Sequence, residues 1–230
     1  MDPKEAHMII QSTTDTAHRY WNAEWKKAGA GSPWAMPEPW AVDHAGTLPD
    51  GSRILDLGAG LGRHALVFAE LGHRVTALDA AEASTAAVAA AAFARSLTVE
   101  TIQAPMTDLP FETASFDHVL AWNVIYHGDE AIVRRALTEV ARVLRPGGSF
   151  MATMLSARRL PVEQARARGR EISRNTWVFE GPGDKAHPHY FCTAPDLLSL
   201  LWGFEVFTLF DRPHESPGSW HWHLLAERLA

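Results

Sequence analysis

The segment Arg53–Gly62, RILDLGAGLG, constrains the fold more than any other stretch of the chain. An apolar run with an acid, followed by glycines at 58, 60 and 62, is typical of a buried strand that turns sharply into a helix. Glycine suits this turn because a side chain would block the close approach of a ligand to the backbone. A second apolar run, VTALDA, ends in Asp79 and Ala80 about 20 residues on, where an acid of such folds binds a ribose diol. The combination predicts a nucleoside-containing cofactor.

The glycine spacing narrows the choice of cofactor. A dinucleotide fingerprint follows G-x-G-x-x-G and seats a pyrophosphate on the helix N-terminus. Here the glycines follow G-x-G-x-G, and Asp56 precedes them. Two acids beside the turn, Asp56 and Asp79, suit a cofactor that lacks phosphates and carries a cationic amino-acid end and a ribose. S-adenosylmethionine (SAM) has these features, so the spacing favours it.

Longer motifs carry a resemblance to a known family. DLGAGLGRHALVFAELGHRVTALD resembles motif I and the following acidic strand of class I SAM-dependent methyltransferases. The resemblance continues through LPFETASFDHVLAWNVIYH and EVARVLRPGGSF, strongly from Arg53 to Phe150 and weakly in the flanks. The segment GRHALVFAELGHRVTALD and the chain length resemble the tellurite-resistance-type, small-molecule branch. The resemblance implies SAM as cofactor and transfer of its methyl group to a small molecule.

Strands alternate with helices along the chain, which indicates a mostly parallel sheet covered on both faces. With the resemblance, this predicts an α/β fold with a three-layer, Rossmann-like, seven-stranded sheet and an antiparallel last strand. The predicted strands are Arg53–Leu57, Arg74–Leu78, Thr98–Ile102, Phe116–Ala121, Ser149–Leu155, Phe204–Phe210 and Trp220–Glu227.

We expect one compact domain. Residues 1–48 would form an N-terminal helical cover, and residues 49–230 the SAM-binding domain. An insertion at about 156–192 is too long for an ordinary connection and is expected near the active site.

In open α/β sheets the ligand binds at the carboxyl ends of the strands. The resemblance implies that the methionine end of SAM contacts four residues of the first turn, Asp56, Gly58, Ala59 and Gly60. Asp79 and Ala80 are expected at the ribose, because an ionised carboxylate can accept hydrogen bonds from both hydroxyls. The alternative role for Asp79 is that of a cap for the following helix.

The adenine site departs from the family pattern. Relatives often carry an acid that accepts from the adenine amino group, and alignment on LPF places Pro105 at this position. Proline supplies no such acceptor and no backbone donor. Met106 could still contact the ring and pack on its face. Asp108 is either a substitute for the missing acid or a surface turn residue. The other cofactor contacts expected on this side are Thr107 and Asn123.

The segment WNVIYH follows the fourth predicted strand, where methyl donor and acceptor meet in related enzymes. It is not the Asn-Pro-Pro-aromatic motif of methyltransferases that act on exocyclic amines of DNA bases, so that substrate class is disfavoured. His127 is a candidate general base, since its unperturbed pKa lies near neutrality. The alternative is a structural role that ties this loop to the next helix. Methyl transfer needs little beyond alignment and desolvation.

A helix is predicted over Thr13–Lys27, with Thr14 or Asp15 as its cap. Its aromatic residues could close over the cofactor or face a cationic substrate, and plain packing is the alternative. The predicted substrate contacts are Tyr20 and Trp21 on this helix, with Tyr126 and His189 elsewhere.

Histidine pairs near the C-terminus raise the question of a metal. HPHYF and HWHLL each place two imidazoles on one strand face, and His214 lies near the second pair in the sequence. No spaced carboxylate or cysteine completes a recognisable ligand set. We therefore predict no metal and expect HPHYF to line the substrate pocket.

The composition limits the classes of partner. The chain has 230 residues and a formal net charge of −6, which argues against a nucleic-acid backbone binder. Its one cysteine, Cys192, leaves no internal disulfide and no thiolate metal site. The N-terminal stretch lacks an apolar signal core, and no apolar run reaches membrane-spanning length. We expect a cytoplasmic monomer or homodimer with a small-molecule substrate and no membrane partner.

The sequence thus predicts a SAM-dependent methyltransferase that acts on a small molecule by in-line displacement. A non-catalytic SAM-binding or interaction protein is one alternative, which Pro105 and the lack of a convincing base keep open. The other alternative is an NAD-dependent oxidoreductase, which would carry a third glycine at dinucleotide spacing.

Overall fold

The computed structural model describes residues 14–28, 32–214 and 216–230. The strands in these ranges are β1 Arg53–Leu57, β2 Arg74–Asp79, β3 Val99–Gln103, β4 Phe116–Ala121, β5 Leu144–Ser156, β6 Gly169–Ser173, β7 Thr176–Phe179, β8 His189–Cys192, β9 Phe204–Pro213 and β10 Trp220–Arg228. The helices are α1 Ala17–Lys27, α2 Pro39–Ala45, α3 Arg63–Glu70, α4 Glu82–Ala94, α5 Glu130–Val143, α6 Leu160–Arg166 and α7 Ala194–Leu200.

The main sheet has the strand order β3-β2-β1-β4-β5-β10-β9. Strands β3, β2, β1, β4 and β5 pair in parallel, and β10 pairs antiparallel with both β5 and β9. The predicted Rossmann-like α/β sheet with a reversed last strand is therefore confirmed. The chain runs outward from β1 in one direction and resumes at β4 on the other side, so the topological switch point lies between β1 and β4.

The insertion adds strands that the sequence did not predict. β8 pairs in parallel with the last residues of β5, Leu155 with Phe191 and Ser156 with Cys192. The hairpin β6–β7 then pairs antiparallel with β8. The sheet therefore has more than the seven predicted strands, and the segment between β5 and α7 is anchored to it. The division into a cover at 1–48 and a larger unit at 49–230 stays a prediction.

The sheet buries both faces, as the apolar alternation along its strands requires. Leu55, Val119 and Phe150 belong to the core that packs under α5 and α7. Their sequence neighbours Ile54, Leu120 and Met151 belong to the core that packs under α2, α3 and α4. All six are fully buried. Helices therefore cover both sides of the sheet and leave its carboxyl edge for a ligand.

The largest differences from the predicted element bounds are at the start of α1 and at the start of β5. The helix α1 begins at Ala17 with Thr16 as its N-cap residue, and neither Thr14 nor Asp15 caps it. The predicted start at Thr13 lies outside the described residues. The side chain of Thr16 makes no cap bond, because its Oγ1 lies 2.8 Å from Nδ1 of His187 instead.

The second wrong boundary is the start of β5. This strand begins at Leu144 rather than at Ser149, directly after α5 ends at Val143. Gly147 has a φ of +70°, and a Cβ at Gly148 would lie 2.8 Å from the Arg145 carbonyl oxygen. Pro146, Gly147 and Gly148 therefore form the tight, irregular first part of β5 and are not a loop that precedes the strand.

Candidate cofactor and acceptor site

A cavity opens at the carboxyl ends of β1, β2 and β4, at the switch point of the sheet. Many of the predicted site residues line it: Gly58, Ala59, Gly60, Asp79, Ala80, Met106, Asn123, His127 and Trp21. Further lining residues that the sequence did not assign to the site include Leu61, Arg63, His64, Trp122 and Val124. The predicted methionine, ribose, adenine and acceptor residues therefore share one cavity.

Other predicted site residues do not line this cavity, namely Asp56, Thr107, Tyr20, Tyr126 and His189. Asp56 is 2% exposed inside β1, and its Oδ2 accepts a hydrogen bond from the Ala65 N–H at 3.0 Å. Burial raises the pKa of this carboxyl to about 7. Asp56 thus fixes the N-terminal turn of α3 from below, and its contact with SAM stays a prediction.

The three glycines of the turn all adopt left-handed φ values, +74° at Gly58, +56° at Gly60 and +77° at Gly62. A Cβ at Gly58 would lie 2.5 Å from Val124, and one at Gly62 would lie 2.9 Å from Val88. Two glycines are therefore required by packing of the protein itself rather than by ligand approach. Gly60 faces the cavity, where a Cβ would lie 3.1 Å from the Trp25 ring.

Asp79 holds this turn in place. Its Oδ2 accepts from the Gly60 N–H at 2.9 Å, and its Oδ1 accepts from the Ala81 N–H at 2.8 Å, just before α4. Burial raises the pKa of the Asp79 carboxyl, while these backbone bonds oppose the shift. Each carboxylate oxygen has a second lone pair, so Asp79 can still accept from ribose hydroxyls.

Aromatic residues of α1 and of the segment after it cover the cavity. Trp21 and Trp25 stack with their ring centroids 4.9 Å apart, and Trp34 lies edge-on to both rings. Asn22 fastens the helix to its neighbour, because its Oδ1 accepts from the Ala83 N–H in the first turn of α4. The cover is thus attached to the same helix that follows Asp79.

Asn123 lies at the cavity edge in a left-handed conformation, with a φ of +60°. Its N–H donates to Thr153 Oγ1 at 2.8 Å, and that hydroxyl donates back to Asn123 Oδ1 at 3.0 Å. Asparagine tolerates this backbone region better than most residues, and strain of this kind is common at ligand sites. The loop after β4 is therefore held in one conformation by β5.

The C-terminal histidines form a hydrogen-bonded chain behind this edge. Trp122 Nε1 donates to His214 Nε2 at 3.3 Å, so His214 carries its proton on Nδ1 and donates to His223 Nε2 at 3.1 Å. The Nδ1 of His223 in turn faces the His221 carbonyl at 3.2 Å. Burial lowers the pKa of His214 to about 3 and that of His223 to about 4. These neutral rings support Trp122 from behind.

His127 presents a basic atom at the acceptor side of the cavity. The residue is 7% exposed, and its Nε2 has no hydrogen-bond partner among the described residues. Burial lowers the pKa of His127 well below its usual value, so the ring is neutral and one of its two nitrogens carries a lone pair. Its ring meets the His189 ring edge-on, with centroids 4.8 Å apart.

Sequence reasoning missed Asp184 and Lys185. Asp184 Oδ2 lies 3.3 Å from His189 Nε2 and 3.2 Å from Lys185 Nζ, so both residues stand behind His127. Asp184 precedes His189 with four residues between them, but no carboxylate was paired with the histidines from the sequence. The histidine pair in HPHYF was the signal in the sequence for a polar cluster here. That Asp184 and Lys185 of the preceding turn join the cluster depends on the tertiary fold.

The comparisons with known proteins bear on the central part of the chain. A model of the methyltransferase-domain family matches residues 54–148, from β1 into β5. The demethylmenaquinone methyltransferase of Clavibacter sepedonicus is 38% identical over 114 residues, covering 49% of this chain and 44% of the relative. The ubiquinone biosynthesis O-methyltransferase of Xanthomonas oryzae pv. oryzae is 32% identical over 144 residues, covering 60% of this chain and 57% of the relative. The chain thus spans about half the length of the curated relatives it matches.

Solved structures share the whole fold. A SAM-dependent methyltransferase from Methanosarcina mazei superposes with a TM-score of 0.72 at 22% identity, covering 84% of this chain and 99% of that chain. The 1,6-didemethyltoxoflavin-N1-methyltransferase of Burkholderia thailandensis was solved with bound 1,6-didemethyltoxoflavin and S-adenosylhomocysteine. It superposes with a TM-score of 0.66 at 22% identity, covering 100% of this chain and 92% of that chain. At this level of identity the likeness concerns the fold alone.

The switch-point cavity and the acid-bound glycine turn define a Rossmann-like domain for a nucleoside cofactor. Over residues 54–148 the chain matches the methyltransferase-domain family, and its fold is that of solved SAM-dependent methyltransferases, which supports SAM as its cofactor. The NAD-dependent alternative is thereby set aside. The expected likeness to the tellurite-resistance-type branch stays a prediction. No helix in the described ranges is long and apolar enough to cross a membrane.

Proposed function

We propose that this protein transfers a methyl group from SAM to a small-molecule acceptor by in-line displacement. One observation carries the proposal: a single cavity joins the Gly60–Asp79 turn to Asn123 and His127. The names of the relatives support a small acceptor, since they refer to demethylmenaquinone, ubiquinone biosynthesis and 1,6-didemethyltoxoflavin.

The residues present fit SAM. We propose that Asp79 accepts from the ribose hydroxyls with its remaining lone pairs, while Ala80 and Met106 flank the base. The backbone at Gly58, Ala59 and Gly60 is proposed for the methionine end. Pro105 does not line the cavity, so we propose that adenine is held by packing against Met106 rather than by a carboxylate. Thr107 stays a predicted contact on the same side.

SAM supplies a methyl group on a positively charged sulfur, which is a good leaving group. The protein therefore has to align an acceptor and exclude water. We propose that Trp21 and Trp25 exclude water from above and that His127 Nε2 takes the proton of an acceptor that must lose one. A neutral, buried imidazole with an unused lone pair is suited to that task.

The N-terminal cover is part of the proposal. We propose that α1 closes the cavity after SAM enters, with Thr16 and Asn22 as its attachment points to the insertion and to α4. Tyr20, Tyr126 and His189 do not line the cavity, and the last two are buried, so their predicted contact with substrate would require a substrate that extends past the cavity.

Incubation with methyl-labelled SAM and a panel of phenols, quinols, amines and thiols tests the function. We expect labelled product and S-adenosylhomocysteine with at least one acceptor class, and slower turnover for His127→Gln with an acceptor that must be deprotonated. Trp202→Ala, on an exposed ring outside the cavity, is the matched control. Binding of SAM without transfer to any acceptor would instead support the non-catalytic alternative.

A further inference from the structure

Three side chains from separate segments converge behind the acceptor end of the cavity. They are His127 after β4, Asp184 in the turn before β8, and His189 on β8, and one nitrogen or oxygen of each lies within 4.8 Å of the others. His127 and His189 are buried, and Asp184 is partly buried. The proposed methyl transfer makes no use of Asp184 or His189, so their placement asks for a separate explanation.

The hydrogen bonds leave two acceptor atoms facing each other, and His127 lies beside them. His189 Nδ1 lies 2.8 Å from the His187 carbonyl oxygen and must donate to it, so its Nε2 carries a lone pair. That Nε2 lies 3.3 Å from the carboxylate oxygen Oδ2 of Asp184, which also only accepts. The Nε2 of His127 is buried without a partner among the described residues. Acceptors arranged in this way require a proton or a cation between them.

We propose that His127, Asp184 and His189 bind a divalent first-row transition-metal ion. Two imidazole nitrogens and one carboxylate oxygen form a donor set that suits zinc and its neighbours, and three protein ligands leave a coordination position open. The carbonyl that accepts from His189 Nδ1 is the kind of outer partner that fixes a ligating histidine in one tautomer. The proposal replaces the predicted absence of a metal.

Lys185 is the competitor for this site. Its Nζ lies 3.2 Å from the same Asp184 oxygen, and its side chain is largely buried. An ammonium group there repels a dication and occupies a ligand lone pair. Removal of the Lys185 charge should therefore tighten metal binding, whereas a cluster held together by a proton and ion pairs would gain nothing.

The role of the metal rests on the proposed function. His127 lines the cavity, so a metal on its Nε2 would present its open position to the acceptor. An acceptor hydroxyl or thiol bound there would release its proton to water, and its lone pair would then form the bond to the methyl carbon while the bond from that carbon to the SAM sulfur breaks and S-adenosylhomocysteine leaves. The metal would thereby take over the deprotonating role that we proposed for His127 alone.

Titration of Zn²⁺ or Co²⁺ into chelator-treated, untagged full-length protein tests the site. We expect one ion per chain, and affinity at least about tenfold weaker in Asp184→Asn and His189→Asn. Lys185→Met should bind more tightly than the unmodified chain, which a mere loss of folding cannot produce. Asp211→Asn and His221→Asn, partly or fully buried residues of the same types outside the cluster, are the controls.

Stoichiometric binding that Asp184→Asn and His189→Asn leave unchanged, or no binding by folded protein, would overturn the proposal. So would weaker binding in Lys185→Met. Affinity for S-adenosylhomocysteine, measured on metal-free protein, separates the metal site from the proposed function. If the metal-free protein does not bind S-adenosylhomocysteine, the proposed function is contradicted. If it binds S-adenosylhomocysteine but the protein binds no metal, only the metal site is contradicted.

Discussion

The backbone N–H of Gly60 donates to the Asp79 carboxylate at 2.9 Å. This bond joins the turn after β1 to the end of β2, and Ala81 donates to the other oxygen of the same carboxylate. Both oxygens are therefore fixed by backbone donors in the protein itself. The group that we propose for the ribose is held in position before any ligand binds, which lowers the entropic cost of binding.

Asp79→Ala should weaken SAM binding by about 1–3 kcal/mol, because hydrogen bonds to a charged group are lost. Isothermal calorimetry measures this change directly. Asp43→Ala, an exposed acid on α2, is the control and should bind as the unmodified protein does. Unchanged affinity in Asp79→Ala would mean that the ribose is bound elsewhere.

Gly58→Ala should destabilise the fold more than Gly72→Ala, although both positions need a left-handed φ. Gly72 has open space around a Cβ, so only the backbone penalty of about 1–2 kcal/mol applies. At Gly58 the methyl group would also overlap Val124, which adds about 1–3 kcal/mol. Urea unfolding measures both losses.

Val124→Ala removes two of the three atoms that the Gly58→Ala methyl group would meet, namely Cγ1 and Cγ2, and leaves the Cβ in place. Gly58→Ala is expected to lose more stability than Gly72→Ala because of this overlap. The double variant Gly58→Ala/Val124→Ala should recover part of that extra loss. Equal losses at Gly58 and Gly72, with no coupling to Val124, would refute the packing explanation for the first glycine.

Asp56→Asn tests the buried carboxyl by its pH dependence. Because the folded-state pKa is raised to about 7 from 3.8, the folded protein binds the extra proton, and stability from this group is lost as pH rises through that window. The loss amounts to up to about 4 kcal/mol. Asparagine can still accept from the Ala65 N–H.

The unfolding free energy of Asp56→Asn should therefore rise relative to the unmodified protein between pH 4 and pH 7. The buried histidines give the unfolding free energy a pH dependence of the opposite sign, because they destabilise the fold as the pH falls below their unfolded-state pKa. Subtracting the unfolding free energies of the two proteins removes this shared contribution. A difference that stays constant with pH, or grows toward acid, would show that Asp56 is ionised in the fold.

Trp25→Ala tests the cover. Its ring stacks on Trp21 and lies close to Gly60 in the cavity lining, so its loss should weaken S-adenosylhomocysteine binding by about 1 kcal/mol while the protein stays folded. Trp202→Ala removes a ring that is 92% exposed and should leave affinity unchanged. Equal affinity in the two variants would place the cover outside the binding site.

The sequence predicted the sheet well because its signals are local. The run Arg53–Leu57 and the glycine turn specify strand, turn and helix within ten residues, and β1 has the predicted bounds. The helix start at Ala17 was not predictable in this way, since the hydroxyl of Thr16 is bonded to His187 across 171 residues of chain. Local rules describe a cap only when no distant partner competes for it.

The same distinction applies to the site. Asp79 was recognised because an acid after β2 has a fixed place in this topology, and Met106 and Asn123 follow from the same logic. The convergence of Asp184 with His127 depends on β8 joining the edge of β5, a pairing that no spacing in the sequence encodes. Glycine at 58 was predicted in a sharp turn that a ligand approaches closely, but the group that its missing side chain makes room for is Val124, in a different loop.

Calorimetric titration of S-adenosylhomocysteine and SAM into the full-length protein tests the central claim most directly. The account predicts saturable, one-to-one binding of both, with a Kd below about 1 mM, which corresponds to more than about 4 kcal/mol. A protein that remains folded by circular dichroism but binds neither compound at millimolar concentration would contradict it.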